Sequence, residues 1–129
     1  MMNASGQDTI AVARKYYNDP PSTEVDSLIF SVRNALYISL DEGFDDSLYI
    51  TINDKPVMNK YCRTNESIGY ADSFGIGFND SSEIKTLRIK FTRTNRIIEE
   101  KLDLKYKSLQ VRYLEEWTLI YSNHFPKRM

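Results

Sequence analysis

The amino-acid sequence predicts an all-β protein, and the expected fold is an antiparallel β-sandwich of immunoglobulin-like or transthyretin-like type. From Leu28 almost to the end of the chain, apolar and polar residues alternate with a period of two, which is typical of half-buried strands. Turn-forming residues recur about every 8 to 12 residues, and no stretch after Leu28 has room for a crossover helix. We therefore expect roughly seven to nine short strands, with a five-stranded OB-type barrel as the alternative.

The chain is long enough for one domain with one core. It has 129 residues, of which 41% are hydrophobic, and a second independent core is not expected at this size. The distribution of polar and apolar residues changes near residue 27: a polar stretch precedes it, and the alternating pattern follows it. We therefore divide the chain into an N-terminal arm and linker, residues 1–27, and a single sandwich domain, residues 28–129.

The N-terminal arm offers one candidate helix between Asp8 and the double proline at residues 20–21, and the alternative is an arm without a helix that packs on the main domain. Asp8 is a suitable N-cap, and Ile10, Ala13 and Tyr17 would share one face of the helix. The double proline that follows Asp19 would end it, since proline cannot continue a helix.

The first two strands of the domain are predicted to pair as a hairpin. Both place aliphatic residues at every second position: Leu36, Ile38, Leu40, Leu48, Ile50 and Ile52. The polar loop at residues 41–46 joins them, so we expect an antiparallel pair with its aliphatic side chains on one face. Tyr37 and Tyr49 then point away from that face and become near neighbours.

The later strands follow from the same alternation. Residues 53–56 predict a turn before a strand that begins at Val57. The clearest hairpin spans residues 87–104 with its tip at 93–96, and two more strands follow at 109–113 and 117–121. The expected hairpin register puts Lys90 opposite Glu99 on the solvent face.

The same register puts Glu100 on the apolar face, opposite Ile89. A bare carboxylate cannot stay buried without a partner. We therefore expect a bulge at Glu100, an edge position, or a partner such as an arginine, and we do not expect a catalytic role for this acid without a second acid beside it.

The most unusual local pattern is the stretch SIGYADSFGIGF at residues 67–78. A dinucleotide-binding loop needs a third glycine and a following helix, and Asp80 with the polar stretch after it supplies neither. As a strand, the stretch has large residues on one face and Gly75 and Gly77 on the other. Glycine inside a strand marks a close approach or a bulge, so we expect either cover from the chain's own aromatics, such as Tyr49 or Tyr121, or a partner.

Charge and composition exclude several classes of function. The chain carries 17 Lys and Arg against 18 Asp and Glu, so no global positive field attracts nucleic acid or anionic membrane. No apolar run approaches the length of a membrane span, and no signal peptide is visible. We expect a soluble protein, cytoplasmic as the sequence stands, and periplasmic or extracellular if a leader preceded Met1.

The sequence offers little for catalysis. The only histidine, His124, follows the last predicted strand, and no hydrolase, zinc-protease or phosphate-loop motif is present. The lone Cys62 excludes an intrachain disulfide and is expected to be a small buried hydrophobe. We predict no enzyme activity, no cofactor and no metal site, with one calcium alternative in an acidic loop: Asp41, Glu42, Asp45 and Asp46.

The expected function is binding of another protein, or of a second copy of the chain, by an accessory or adaptor domain. Large aromatic and bare surfaces mark such contacts, and the candidate binding residues are Tyr37, Tyr49, Gly75, Gly77 and Trp117. A carbohydrate-binding module with a tyrosine-rich face is the alternative. Single-stranded nucleic acid comes last, because acids on the facing strand neutralise the basic hairpin around Arg88.

Overall fold

A computed structural model of the chain describes residues 8–18 and 34–123, and in these residues all regular structure is β-strand. The ten strands are β1 (Asp8–Thr9), β2 (Ala13–Tyr16), β3 (Ala35–Leu40), β4 (Asp45–Ile52), β5 (Lys55–Arg63), β6 (Asp72–Gly77), β7 (Thr86–Phe91), β8 (Arg96–Lys101), β9 (Ser108–Tyr113) and β10 (Trp117–Ser122).

The strands form two five-stranded sheets that pack face to face as a β-sandwich. The first sheet has the order β1-β8-β7-β4-β5, and the second has the order β2-β10-β9-β3-β6. The predicted sandwich is confirmed, and the alternative of a closed barrel is wrong because the two sheets stay separate. Whether the sandwich is of immunoglobulin-like or transthyretin-like type stays a prediction.

Both sheets are mixed, which corrects the expectation of a wholly antiparallel sandwich. The parallel pairs are β1 with β8, β2 with β10, and β3 with β9. Each of these pairs joins strands that are distant in sequence. Hairpin loops impose antiparallel pairing only on consecutive strands, so the direction of distant pairs depends on how the chain crosses the sandwich.

The helix predicted at residues 8–17 is wrong. This segment forms β1 at the edge of the first sheet and β2 at the edge of the second. Between them Ile10 is buried in the core, and its N–H donates to the carbonyl of Ile97. A short isolated helix is marginal in water, whereas each half of the segment completes a sheet edge.

The predicted domain boundary at residue 27, the double proline and His124 lie outside the described residues.

The predicted hairpin of residues 36–52 is also wrong. Both strands exist with the expected faces, but β3 belongs to the second sheet and β4 to the first. Phe44, in the connection, is buried and packs against Phe91 and Trp117 at the end of the sandwich. Because this side chain enters the space between the sheets, the connection crosses from one sheet to the other, and β4 instead pairs with β5 and β7.

A turn is present where residues 53–56 predicted one, but it is shorter: Asn53 and Asp54 form the tip of the β4–β5 hairpin, and β5 begins at Lys55, two residues before the predicted start at Val57. Asn53 and Asp54 both have left-handed backbone conformations, with φ of 50° and 68°. Two consecutive residues of this kind form the turn that matches the twist of a hairpin. The predicted β7–β8 hairpin is confirmed, and the two strands predicted at residues 109–113 and 117–121 are present as β9 and β10, which pair with each other.

The register of the β7–β8 hairpin differs from the predicted one by two residues. Arg88 lies opposite Glu99, and Leu87 lies opposite Glu100. A shift of two residues leaves every side chain on its predicted face. The expected loop included Arg96. In the structure Asn95, with φ of 54°, is the last residue of the loop, and Arg96 already belongs to β8.

The core lies between the sheets and consists of the inward-facing aliphatic residues of both. Leu36, Ile38, Ile50, Ile89 and Leu119 are fully buried. Cys62 is also buried and has no disulfide partner, as expected, and burial raises the pKa of its thiol. In the part of the chain that the structure describes, no helix is long and apolar enough to cross a membrane.

We predict that Gly43→Ala destabilises the sandwich by about 2 kcal/mol or more. Gly43 has φ of 96°, and a Cβ there would lie 2.5 Å from the Cβ of Tyr113, so the variant combines backbone strain with a clash. Chemical denaturation measures the free energy of unfolding. The matched control is Gly77→Ala, where the nearest atom to an added Cβ is 3.9 Å away and little change is expected. Equal effects at the two glycines would contradict the prediction.

Candidate functional site

The candidate site is the side of the sandwich where strands β5 and β6 form the edges of the two sheets. Among the described residues, β5 pairs only with β4, and β6 pairs only with β3. Lys60 on β5 forms an ion pair with Asp72 on β6, so the two edges lie next to each other across the gap between the sheets. We call this surface the β5–β6 side.

The hydrogen-bond pattern shows which backbone groups of β6 face outward. The N–H of Phe78 donates to the carbonyl of Asn34 at 3.0 Å, and the N–H of Tyr37 donates to Lys107 on the other flank of β3. In an antiparallel pair, residues whose backbone groups bond to the partner strand alternate with residues whose backbone groups point away from it. Phe74, Ile76 and Phe78 therefore direct their backbone groups to β3, whereas the N–H and C=O groups of Gly75 and Gly77 point to the open edge.

The same two glycines leave the outer face of β6 bare. A Cβ added at Gly75 would meet only the carbonyl oxygen of Leu36, at 3.9 Å, and one at Gly77 only that of Asn34, also at 3.9 Å. Both glycines are exposed. Within residues 8–18 and 34–123, no side chain other than those of their chain neighbours lies within 4 Å of either added Cβ.

Tyr37 is the aromatic residue beside this bare strip. It lies directly opposite Gly75 in the β3–β6 pair and is half-buried on the outer face of the second sheet. The cover expected from Tyr49 or Tyr121 is absent: Tyr49 lies on the other sheet, and Tyr121 is fully buried inside the sandwich. The structure therefore brings Tyr37, Gly75 and Gly77 together.

Tyr49 does not neighbour Tyr37, because the two residues lie on the outer faces of different sheets. Its neighbours are Lys90 on β7 and Asn59 on β5. Tyr61, one row further along β5, is a surface residue that the sequence reasoning missed. Tyr49 is 38% exposed and Tyr61 is 54% exposed. The buried Cys62 that follows Tyr61 was the signal, since strand neighbours face opposite sides.

The hydroxyl of Tyr61 is held at the surface by Asp45, to which it donates a hydrogen bond. This hydrogen bond, with burial second, raises the pKa of Tyr61. The two exposed tyrosines thus form a tyrosine pair, Tyr49 and Tyr61, on the outer face of the first sheet.

Trp117 lies in the core and not on the surface. It is only 9% exposed, and its ring lies within 5.3 Å, between centroids, of Phe44, Phe91 and Tyr113. This cluster fills one end of the sandwich.

The four carboxylates of the acidic loop at residues 41–46 each accept hydrogen bonds from different groups of the chain. Asp41 accepts hydrogen bonds from Ser39 and Gln110, and Glu42 accepts one from Arg112 at 2.8 Å. Asp45 accepts from Tyr61, and Asp46 accepts from the N–H of Arg93 at 2.9 Å. Across the described ranges, no group of three or more His, Cys, Asp or Glu side chains is arranged to hold a metal ion.

Glu100 has the arginine partner that its position required. It is 4% exposed, and Arg14 of β2 donates to it through Nη2 at 2.6 Å and Nε at 3.0 Å. The hydroxyl of Tyr121 donates to its other oxygen at 2.5 Å. Burial and this hydrogen bond raise the pKa of Tyr121 well above its usual range. The acid is therefore satisfied by a link between the two sheets, on the side opposite the β5–β6 side.

A cavity of about 1110 Å³ opens beside this link. Its walls include Arg14, Tyr16, Lys101 and Tyr121, with Glu100 at its base. Tyr16 stacks on Tyr121 with the ring centroids 5.3 Å apart. The hydrogen bonds that Glu100 accepts come from an arginine and a tyrosine, and none of the bonds seen in the described residues joins it to a second acid.

The positive charge of the β7–β8 hairpin is partly neutralised by acidic side chains, as expected. Arg88 forms ion pairs with Glu99 at 2.5 Å and with Asp54 at 3.6 Å. The hydrogen bond and charge of Glu99 raise the pKa of Arg88.

Comparison with known proteins gives no relative for this chain. No protein-family model, no curated protein and no solved structure matches it.

We predict that Arg14→Met lowers the free energy of unfolding by about 2 kcal/mol, because it leaves the buried carboxylate of Glu100 without its cation. The double variant Arg14→Met, Glu100→Leu should recover part of the loss, since it removes the buried charge but leaves the hydroxyl of Tyr121 without its acceptor. Urea denaturation of the two single variants, the double variant and the wild type gives the coupling. Additive losses in the double variant would contradict this account.

The ion pair on the β5–β6 side predicts a pH dependence. Burial alone would raise the pKa of Asp72, but hydrogen bonds from Lys60 and from the N–H of Ser73 together outweigh it and lower this pKa. A lowered folded-state pKa stabilises the protein above the usual pKa of Asp, and this contribution is lost as the pH falls through the lowered value.

Asp72→Asn should therefore lower the melting temperature near neutral pH, and its difference from the wild type should shrink as the pH falls below the usual Asp pKa of 3.8. Thermal melts over a pH series measure this. Glu116→Gln, at an exposed acid, is the control that should show no such convergence. A difference for Asp72→Asn that stays constant down to low pH would refute the prediction.

Proposed function

We propose that this chain is a non-enzymatic β-sandwich accessory domain that binds another protein by pairing a strand of that protein with β6. The observation that carries the proposal is the bare edge at Gly75 and Gly77. At both positions the backbone N–H and C=O groups point away from β3, and among the described residues no side chain other than those of the chain neighbours lies within 4 Å of a Cβ placed there. Strand addition to such an edge supplies affinity through main-chain hydrogen bonds.

Glycine at these two positions lowers the stability of strand β6, and we propose that it permits another chain to approach the strand closely. It weakens a strand by roughly 0.5–1 kcal/mol relative to alanine, and neither Gly75 nor Gly77 has a left-handed φ that would require it. Packing does not require it either, since an added Cβ would have 3.9 Å of clearance. Close approach by another chain is the physical use that remains.

Tyr37 is the proposed side-chain anchor. It lies on β3 directly opposite Gly75, so a bulky side chain of the added strand can lean across the glycine and contact the tyrosine ring. Aromatic side chains supply much of the contact energy at interfaces. Backbone pairing would give affinity, and this contact would give preference for partner residues of suitable shape.

A carbohydrate-binding module remains the second candidate. The tyrosine pair, Tyr49 and Tyr61, is the observation that favours it, because both rings are exposed on one sheet face beside Lys90 and Asn59. Sugars stack on such rings. A glycan array on which the wild type binds and Tyr49→Ser does not would support this candidate over the first.

The proposal is tested by capture of partners on the immobilised chain from an extract of the organism that encodes it. Gly75→Pro removes the outward N–H and leaves the ladder to β3 unchanged, so the captured partner should fall about tenfold. Gly75→Ala is the matched control, because it keeps the N–H and adds one methyl group to open space. Tyr49→Ser, on the other sheet, should capture the partner as the wild type does.

Melting temperatures of all variants accompany the experiment. Equal capture by wild type and Gly75→Pro would refute strand addition at β6. If Gly75→Pro lowers the melting temperature strongly, Tyr37→Ser takes its place, with reduced capture as the expected result.

A further inference from the structure

Strand β6 and the residue that follows it contain a short palindrome. Residues 74–78 read FGIGF, so the sequence is the same in both directions about Ile76. In a dimer with two-fold symmetry, the same surface of both copies forms the interface. When two β6 strands pair in antiparallel fashion about an axis at Ile76, Gly75 of each copy lies opposite Gly77 of the other. The palindrome therefore makes the edge complementary to itself.

The backbone groups of β6 fit this register. Among the described residues, β6 pairs only with β3, so the outward N–H and C=O groups of Gly75 and Gly77 remain available. The N–H groups of Ser73 and Asn79, the next two outward positions, already donate to carboxylates of their own chain at 2.8 and 2.6 Å. Each pair of opposite glycines would exchange both of its main-chain hydrogen bonds with the second copy.

Other two-fold registers use these groups less well. An axis at Gly75 puts Gly77 opposite Ser73, and an axis at Gly77 puts Gly75 opposite Asn79. In both cases an outward glycine meets a residue whose N–H is already bonded within its own chain. The axis at Ile76 gives both glycines available partners, so the sequence and the hydrogen bonds select the same register.

The side chains on the inner face of β6 favour the same pairing. Phe74 and Phe78 are half-buried and pack against the core, and Ile76 is buried. In this register Phe74 lies opposite Phe78 of the second copy, in a pair without main-chain hydrogen bonds, where side chains come closest. Aromatic cross-strand pairs stabilise a sheet. Dimer formation would therefore cover the exposed parts of these rings in both copies.

Charge does not oppose the approach of a second copy. Residues 74–78 contain no charged side chain, and Asp72, which precedes them, forms an ion pair with Lys60 of its own chain. Beyond this stretch the chain turns, because the carbonyl of Asp80 accepts a hydrogen bond from the N–H of Glu83 at 3.0 Å. The paired stretch therefore ends before the acidic residues that follow it, and like charges on adjacent strands are kept out of it.

We propose that two copies of this chain form a symmetric dimer by antiparallel pairing of β6 with β6 about an axis at Ile76. The second sheets of the two copies would join into one continuous sheet. The paired stretch is much shorter than the roughly 20 to 30 residues a side of a stable interface, so the dimer is weak and dissociates on dilution.

The dimer rests on the same open edge as the proposed function and adds regulation to it. A partner strand and a second copy need the same main-chain groups of Gly75 and Gly77. Self-association would therefore compete with binding of the partner, and the edge would become available as the dimer dissociates.

Cysteine cross-linking tests the register. Gly75→Cys and Gly77→Cys each place a thiol on the outer face of the strand, where an added Cβ has 3.9 Å of clearance. On oxidation, a mixture of the two variants should form a disulfide-linked dimer, because these positions of the two copies lie opposite each other with Cα atoms about 5.5 Å apart. Either variant alone should give little cross-linked product, since its two cysteines are diagonal neighbours beyond about 7 Å. The wild type, whose single cysteine is buried, is the control.

Sedimentation velocity of the full chain over a concentration series measures the association without cross-links. The wild type should shift reversibly toward the mass of a dimer as its concentration rises. Gly75→Pro lacks one N–H donor in each copy and should weaken the association about tenfold. Gly75→Ala keeps the donor and should associate nearly as the wild type does. Melting temperatures show whether the variants fold, and the cross-linking result decides where Gly75→Pro does not.

Two results would overturn the inference. The first is a wild type that stays monomeric at every concentration. The second is cross-linking of Gly75→Cys alone as efficient as that of the mixture, which would place the axis elsewhere. A monomer that still captures a partner through β6 would support the proposed function without the dimer. A dimer that cross-links as expected, from a chain that captures no partner, would support the dimer without the proposed function.

Discussion

The structure depends on one constraint: the central strands of both sheets, β4, β7, β8, β3, β9 and β10, must give about one side chain in two to a common core. Two five-stranded sheets can bury their aliphatic faces only against each other. The period of two in the sequence is the direct result of this requirement. It also leaves four sheet edges, and the treatment of these edges accounts for the remaining polar features of the molecule.

The two sides of the sandwich are closed in different ways. On one side the N-terminal segment supplies β1 and β2, one to each sheet, and Arg14 reaches the buried Glu100 across the gap. On the other side, an ion pair between Lys60 and Asp72 links β5 and β6. Both links therefore hold the two sheets together, each on its own side of the sandwich.

The function proposed for the chain follows from what is left open on the β5–β6 side. Strand β6 presents bare backbone at Gly75 and Gly77, with Tyr37 beside them, and we propose that a strand of another protein pairs there.

The sequence by itself determined the strands that follow residue 34 with their inward faces, the turn at Asn53 and Asp54, and the need of Glu100 for a partner. All of these depend on local alternation, on turn chemistry or on the cost of burying a charge. The sequence also indicated the bare strand at Gly75 and Gly77. It missed the surface position of Tyr61, although the alternation with Cys62 contained that information.

Only the tertiary structure decided which sheet each strand joins. Alternation states which face of a strand is apolar, but it does not state which strand lies next to it, so the β3–β4 hairpin and the Tyr37–Tyr49 pair were wrong. The helix at residues 8–17 failed because long-range pairing at two sheet edges outweighed a weak local pattern. The arginine that neutralises Glu100 lies 86 residues away in sequence, and a contact over that separation is a property of the fold and not of any local pattern.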